Sequence, residues 1–522
     1  MDTEKTMAEV LSGKCFLGIE FGSTRIKAVL TAEDLEPLAQ GSFSWQDSLK
    51  DGVWTYDLKD AAAGLSECYL DLKKDLRGRG LPVPEKLAGI GVSAMMHGYI
   101  ARDKEGKLLV PFRTWRNTIT GEAAEKLTEL FGFNIPQRWS IAHLCQAVLN
   151  KEEHIERLDS VTTLASYIHE LLTGRKVIGA DDASGMIPLA ADRSGYDPVM
   201  AEKFEKLTGL DIFRLFPKVL PAGEEAGRLT EAGALMIDPE GDLKAGIPLC
   251  PPEGDAGTGM VATASVRPRT GNVSAGTSIF SMIVLEELPK KVHPEIDIVT
   301  TPSGEPVAMV HCNTCSSDIN AWVGLFSQVL KAAGKEPDMG ALYETLFKKA
   351  MEAKDDCGGI INYNFFSGEP VLSLGSGFPA VTREPDAPLD LPEFMRALLY
   401  SSFAALCYGN RILEKDGVQV DKLTGHGGMF KTPGTVQKLM ASALGTPVAV
   451  MKTAGEGGPW GSAILAAYMA RKDRAQSLED FTDEHVLAAS EVVTEQPDGK
   501  IAAGFDKYME SYLSKLDIMR RA

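Results

Sequence analysis

Residues 16–30 read FLGIEFGSTRIKAVL. Two apolar, partly β-branched runs flank Gly22-Ser23-Thr24, which predicts two strands around a tight turn. One acid, Glu20, stands inside the first run just before the turn, and Lys27 stands inside the second. Such an acid faces either water or a ligand. Glycine lets a ligand oxygen approach the backbone with no Cβ in the way, and hydroxyls and exposed N–H groups hold phosphate oxygens. Gly22, Ser23, Thr24 and Lys27 therefore suit a phosphate, and Glu20 suits a metal ion beside it. Taken alone, the stretch reads as well as an ordinary hairpin, so the rest of the chain has to decide.

The chain has 522 residues, more than one ordinary core accommodates, which predicts two domains. Apolar residues make up 44% and charged residues 24%, the balance of a globular protein. The 54 Lys+Arg against 72 Asp+Glu leave a net charge of −18, which disfavours nucleic acid as a partner. Small anions are still open to it through backbone N–H groups. No stretch is long and apolar enough to predict a membrane span, and the polar, acidic start lacks the pattern of a signal peptide. Eight scattered cysteines in apolar contexts predict reduced thiols and a cytoplasmic protein. Cys312 and Cys315, in HCNTC, are half of a zinc set, but no second cluster has the spacing to complete it.

Along the chain, LAGIGVSAMMHGYIARD (87–103) starts as a buried strand and ends on a His-Gly turn, and GKLLVPFRTWRN predicts a further strand and loop. Helical pattern runs from Thr120 to Leu149 with a break at GFNIPQRWS, and again through SVTTLASYIHELLTG to its stop at Gly174. GIPLCPPEGDAGTGMVATASV reads as a short strand, a Gly-Asp turn and a helix, and TGNVSAGTSIFSMIVLEE as strand, turn, strand. Residues 422–445 read as strand, glycine turn, helix. Residues 454–472 read as a glycine turn opening a buried helix. IEFGSTRIKAVL and VSAGTSIFSMIVL share one order: strand, Gly with hydroxyl residues, strand. Gly22 and Gly276 thus mark an echo half a chain apart, as two similar domains would give.

Asp255 has glycine on both sides, so its carboxylate is accessible. It serves either as a proton acceptor for a bound hydroxyl or as a cap for the helix that follows. GHGGMFKTPG (425–434) and AGEGGPWGSA (454–463) each precede a helix, a place where a nucleotide touches backbone; tight strand-to-helix turns are the plainer reading. Met96-His97-Gly98 ends a buried strand, where α/β proteins hold ligands, and Trp115-Arg116-Asn117 pairs polar groups with an aromatic face that suits a sugar. No GxxxxGK[ST] is present, so phosphate binding does not come from a P-loop.

In this order the motifs resemble the FGGY carbohydrate kinase family, most closely its xylulokinase-type branch, over about residues 14 to 470. The resemblance implies an α/β protein of two actin-like, ribonuclease-H-like domains with a ligand cleft between them. Their implied bounds are 14–264 and 265–475, followed by a helical extension over 476–522. It implies transfer of the ATP γ-phosphate, with Mg²⁺, to a terminal hydroxyl of a ketopentose, D-xylulose first and L-ribulose next. Asp255 takes the place of the family's general base. Met96, His97, Trp115, Asn117 and Asp255 are implied at the sugar. Gly22, Ser23, Thr24, Lys27, Gly276, Thr277, Gly427, Gly428, Gly457 and Gly458 are implied at ATP, and Glu20 with Asp255 at the metal. The implied partner is the small sugar alone, with room for a homodimer and no nucleic acid or membrane. Three positions depart from the family: Glu20 and Asn117 stand where it has Asp, and His143 where a Lys is common. The first adds a methylene, about 1.5 Å of reach. These departures motivate a second reading, a sugar or nucleotide sensor on the same fold. A chaperone-type ATPase would leave the Met-His-Gly and Trp-Arg-Asn elements without a purpose.

Overall fold

Phe16–Phe21 (β1) and Arg25–Thr31 (β2) pair as antiparallel strands around residues 22–24 in the computed structural model, which describes residues 3–432, 434–451, 457–471, 473 and 475–520. Every β1 residue is buried, as in a strand covered on both faces. Chain contacts divide the molecule into two compact units: Met1–Val266 with Val299–Pro306 and Glu456–Ala489, and Arg267–Ile298 with Val307–Gly455 and Ser490–Ala522.

In the first unit, Pro37–Ser44 (β3) extends the hairpin antiparallel to β2, and Gly89–Ala94 (β4) pairs parallel with β1. A parallel neighbour needs a crossover, and the β3–β4 connection carries the helix Leu58–Gly78 (α1). Gly227–Arg228 (β5) pairs with Pro248–Leu249 (β6), which, like Glu253–Gly254 (β7), runs parallel to β4. The order is β5-β6-β4-β1-β2-β3. Ala180–Ser184 (α2) and Asp255–Ala262 (α3) gather at the C-terminal ends of β4 and β7.

The second unit repeats the plan. Thr270–Ala275 (β8) and Ile279–Val284 (β9) form a hairpin, Pro306–Cys312 (β10) extends it antiparallel, and Lys422–His426 (β11) pairs parallel with β8. Val448–Met451 (β12) runs parallel to β11 and Val492–Glu495 (β13) antiparallel to β12. Thus β10-β9-β8-β11 matches β3-β2-β1-β4 in order and direction, and the echo at Gly22 and Gly276 marks equivalent three-residue turns. Ser316–Ala332 (α4), Leu391–Lys415 (α5) and Thr435–Leu444 (α6) pack on this sheet's side of the chain.

Gly457–Arg471 (α7) belongs to the first unit, against the expectation that 265–475 folds together. Missing side chains make its seat. A Cβ on Gly18 of β1 would lie 1.7 Å from the Pro459 carbonyl oxygen, and one on Gly91 of β4 would lie 2.0 Å from that of Ser462. Residues 476–522 are likewise not one extension. Leu478–Thr482 lies in the first unit, and Gly499–Ser514 buries Phe505, Tyr508 and Tyr512 in the core of the second. GKLLVPFRTWRN forms isolated bridges, Arg102 with Leu108 and Tyr99 with Arg113, instead of a strand; Pro111 offers no N–H to a ladder. Among the described residues, no helix is long and apolar enough to cross a membrane.

Candidate active site

The first-unit site lies at the C-terminal ends of the parallel strands β1, β4 and β7, the usual ligand end of an α/β sheet. Glu20 faces Lys27 across the β1–β2 ladder and accepts a hydrogen bond from its Nζ at 3.0 Å. Glu20 is only 7% exposed, while Lys27 reaches solvent. The other Glu20 oxygen, Oε1, lies where a Cβ on Gly458 would stand only 2.3 Å away. Gly458 therefore sits beside the acid of the first hairpin. Gly457 and Gly458 open α7, which packs in the first unit; residues 454–456 of that turn lie outside the described residues.

The hairpin turn is pinned from behind. The Trp45 indole Nε1 donates to the Gly22 carbonyl at 2.7 Å and the Tyr56 hydroxyl donates to the Ser23 carbonyl at 2.6 Å. The two rings pack with centroids 4.4 Å apart, and the Thr24 carbonyl accepts from Trp45 N at 3.2 Å. With these carbonyls spent, the turn keeps Gly22, Ser23 and Thr24 in one conformation.

Beyond β4 the chain turns at Met96-His97-Gly98. His97 and Gly98 both have positive φ, 69° and 101°. For a histidine this costs about 1 kcal/mol or more, a strain found where side chains are aimed. The His97 ring is buried, and Nδ1 lies 3.3 Å from the Gly185 carbonyl oxygen. A carbonyl only accepts, so Nδ1 carries the proton and Nε2 keeps its lone pair. Burial, and next the charge of Arg138, hold the ring well below the ordinary histidine range, so it stays neutral.

Asp255 is the first residue of α3, and its Oδ1 accepts from Met96 N at 3.2 Å. Desolvation, and next the negative charge of Glu20, push its carboxyl up to about 7 from 3.8, against backbone hydrogen bonds that pull it down. Four groups singled out in the sequence, Glu20, Met96, His97 and Asp255, thus share one end of the sheet, with Gly458 beside Glu20. A carboxyl held up at about 7 can take a proton from a bound hydroxyl.

Two sequence assignments look different in the folded chain. Asn117 is 1% exposed, and its amide is spent on backbone. Nδ2 donates to the carbonyls of Trp54 at 2.8 Å and Thr114 at 3.0 Å, and Oδ1 accepts from Trp54 N at 2.8 Å. It braces residues 114–117 against the short strand Val53–Thr55, against its expected place at the sugar. Arg116 stacks over Trp54 at 3.8 Å, and Trp115 lies half-buried against the first core. His143 is wholly buried with neither ring nitrogen hydrogen-bonded among the described residues, and burial drives it down to about 3.

In the second unit, Gly276 N donates to the Ser278 carbonyl at 2.9 Å, and the carbonyls of Thr277 and Gly276 accept from Cys315 N and Ser316 N at 2.8 and 3.1 Å, tying the turn to the start of α4. Gly427 has φ 100°, and a Cβ there would stand 2.5 Å from the Ala275 carbonyl oxygen. Gly276, Thr277, Gly427 and Gly428 are therefore neighbours at the ends of β8 and β11, with no Cβ over Gly428 meeting any atom.

Three buried acids carry no local signal in the sequence. Asp181, Asp182 and Glu253 lie directly behind Asp255. Burial first, and then the charges of Asp182 and Asp255, raises Asp181 far above the carboxylate range; burial first, and then the charges of Asp181 and Asp182, does the same to Glu253, and burial lifts Asp182 to about 7. A second acidic group, Asp238, Glu240 and Asp242, has metal-like spacing, but Lys73 Nζ already sits 2.7–2.8 Å from all three carboxylates. It is the one such group among the described residues, and Cys312 and Cys315 are buried thiols outside it.

Residues 15–261 match the model of the FGGY family of carbohydrate kinases, N-terminal domain, and residues 271–470 match that of its C-terminal domain. A xylulose kinase of Haemophilus influenzae is 22% identical over 411 residues, covering 72% of this chain and 77% of the relative. Among solved structures, a xyloylose kinase from Brucella ovis superposes with a TM-score of 0.77 at 20% identity, covering 97% of this chain and 99% of the other. The glycerol kinase of Plasmodium falciparum with ADP gives 0.74 at 16% identity, covering 97% and 98%. At such identities the superpositions speak for the fold.

Proposed function

Because this chain belongs to the FGGY family of carbohydrate kinases, we propose that it transfers the γ-phosphate of ATP to a terminal hydroxyl of a ketopentose, D-xylulose first and L-ribulose next. FGGY kinases use ATP as donor, and the chain is an ATP-dependent carbohydrate kinase. The choice of pentulose leans on the xylulose kinase relative; the glycerol kinase neighbour shows that the fold also serves other acceptors.

The observation that carries the reading is Asp255. It stands at the ligand end of the sheet, next to Met96 and His97, with a carboxyl titrating near neutrality. Phosphoryl transfer asks for positioning and charge neutralisation more than covalent help. Asp255 orients the sugar hydroxyl and accepts its proton as the oxygen attacks the γ-phosphorus, while His97 Nε2 accepts from a second hydroxyl. In the first unit the N–H groups of Ser23 and Thr24, in the turn opened by Gly22, and the charge of Lys27 suit phosphate oxygens; in the second unit the turns at Gly276-Thr277 and Gly427-Gly428 suit nucleotide. Glu20 and Asp255 fit Mg²⁺ by donor chemistry: two carboxylates close enough for one to raise the other's pKa are the hard oxygen set that ion takes. Bound there, Mg²⁺ would neutralise phosphate charge.

A sensor that binds ATP and sugar without turnover is the second reading, favoured by Glu20 in place of the family's Asp. A coupled ADP-release assay over a panel of ketoses and polyols, with ATP and Mg²⁺, separates the two. Turnover on a pentulose supports the kinase. ATP binding with no turnover on any acceptor supports the sensor.

A further inference from the structure

The start of α3 is capped in an unusual way. The residue before it, Gly254, has no side chain to satisfy the helix's first N–H groups, and Asp255 turns its Oδ1 to Met96 N. The exposed donors still need acceptors, and they find one far away in sequence. Asp181 Oδ2 accepts from Gly254 N at 2.9 Å and from Gly257 N at 3.1 Å. The reverse also holds. The short helix α2 follows Gly179, again without a capping side chain, and Glu253 Oε2 accepts from Asp181 N at 3.0 Å and Asp182 N at 3.4 Å. Each of the two segments lends a carboxyl oxygen to the other's backbone.

Glycines make room for the exchange. A Cβ on Gly179 would lie 2.1 Å from Glu253 Cδ, one on Gly254 2.7 Å from Asp181 Oδ2, and one on Gly257 2.4 Å from Asp181 Cγ. Both acids are fully buried. Two carboxyl groups out of water, side by side, are a costly way to cap helices that a local Ser or Thr would cap. What the arrangement provides is a second acceptor at the start of α3, while Asp255 Oδ1 accepts from Met96 N, and it comes from a segment that also carries Gly185, the hydrogen-bond partner of His97.

We propose that Asp181 and Glu253 form a reciprocal clasp, Asp181 capping the Asp255 segment from outside and Glu253 capping the α2 segment that carries Asp181, making both of them positioning residues for the sugar-activating Asp255. The proposal rests on the kinase reading for its consequence and on the clasp alone for its structure, and the test reads the two separately. Hydrogen–deuterium exchange of residues 180–184 and 253–259 reports the clasp whatever the protein catalyses, and steady-state kinetics reports its consequence.

Asp181→Ala leaves the N–H groups of Gly254 and Gly257 bare and Glu253→Ala those of Asp181 and Asp182, so exchange is expected to quicken at least about tenfold over 253–259 in the first variant and over 180–184 in the second. Displacement of the base lowers kcat about 10²-fold, with KM for ATP within about threefold. Asp181→Asn and Glu253→Gln keep an oxygen acceptor and are expected to stay near wild type in exchange and retain at least about a third of kcat. Gly257→Ala, whose new Cβ drives Asp181 away, should copy Asp181→Ala and replaces it if that variant does not fold. Wild-type protection and kcat in Asp181→Ala, or an Asp181→Asn as impaired as the alanine variant, would overturn the proposal. A wild-type protein that phosphorylates no acceptor refutes the kinase reading, and the exchange data then decide the clasp by themselves.

Discussion

Replacing Asp255 by Asn separates stability from function in a way that can be worked from the structure. The folded protein holds this carboxyl up at about 7, whereas an unfolded chain releases its proton near 3.8. Between those values the folded state binds a proton that the unfolded state has lost, so stability falls as pH rises from about 4 to about 7 and stays low above. At about 1.36 kcal/mol per pH unit the ceiling is ~4 kcal/mol; discounting for a group that still reaches solvent leaves about 1–2 kcal/mol. Asparagine keeps the Oδ1 that accepts from Met96 N and never carries the charge. Asp255→Asn should therefore melt with wild type near pH 4 and above it by a few degrees at pH 8, the gap opening between pH 4 and 7. Thermal melts of both proteins in chelator, at four or five pH values, read this directly. A gap that is flat with pH, or a variant less stable than wild type at pH 8, refutes the reasoning about Asp255's surroundings.

Other substitutions test the frame around the site. Gly18→Ala places a methyl 1.7 Å from the Pro459 carbonyl oxygen, backbone that has nowhere to go; a loss of about 3 kcal/mol or more in urea unfolding is expected. Lys73→Met strands Asp238, as fully buried as the lysine itself, and should cost about 3–5 kcal/mol while KM for ATP and sugar stays put. Glu20→Asp shortens the acid and separates it from Lys27 and the Gly458 backbone, so the Mg²⁺ concentration for half-maximal rate should move by roughly threefold or more, a change of about 0.7 kcal/mol or more. An unchanged Mg²⁺ profile would remove Glu20 from the metal.

Local patterns carried much of this fold. The hairpin at 16–30, the helix ending at Gly174, the strand entering Met96-His97 and the Gly-Asp turn at Asp255 all follow from turn chemistry and apolar period within a dozen residues. Long-range partners were not legible there. Asp181 and Glu253 look like two solvated acids until α2 and β7 are brought together, across more than seventy residues. Gly457 and Gly458 read as part of the half they follow in sequence, because nothing local says that α7 returns to Gly18 and Gly91. Asn117 has the composition of a sugar ligand; only the position of Trp54 shows that its amide is already spent.

The central claim is that Asp255 accepts the proton of a sugar hydroxyl as ATP is cleaved. Its most direct measurement is ADP production by wild type and Asp255→Asn side by side, with ATP and Mg²⁺, in the presence and absence of D-xylulose. The account predicts wild-type turnover that depends on the pentulose, and a variant whose sugar-dependent kcat/KM is lower by about 10² to 10⁴-fold, the usual worth of a positioned base. An Asp255→Asn protein that keeps the wild-type sugar-dependent rate would contradict it.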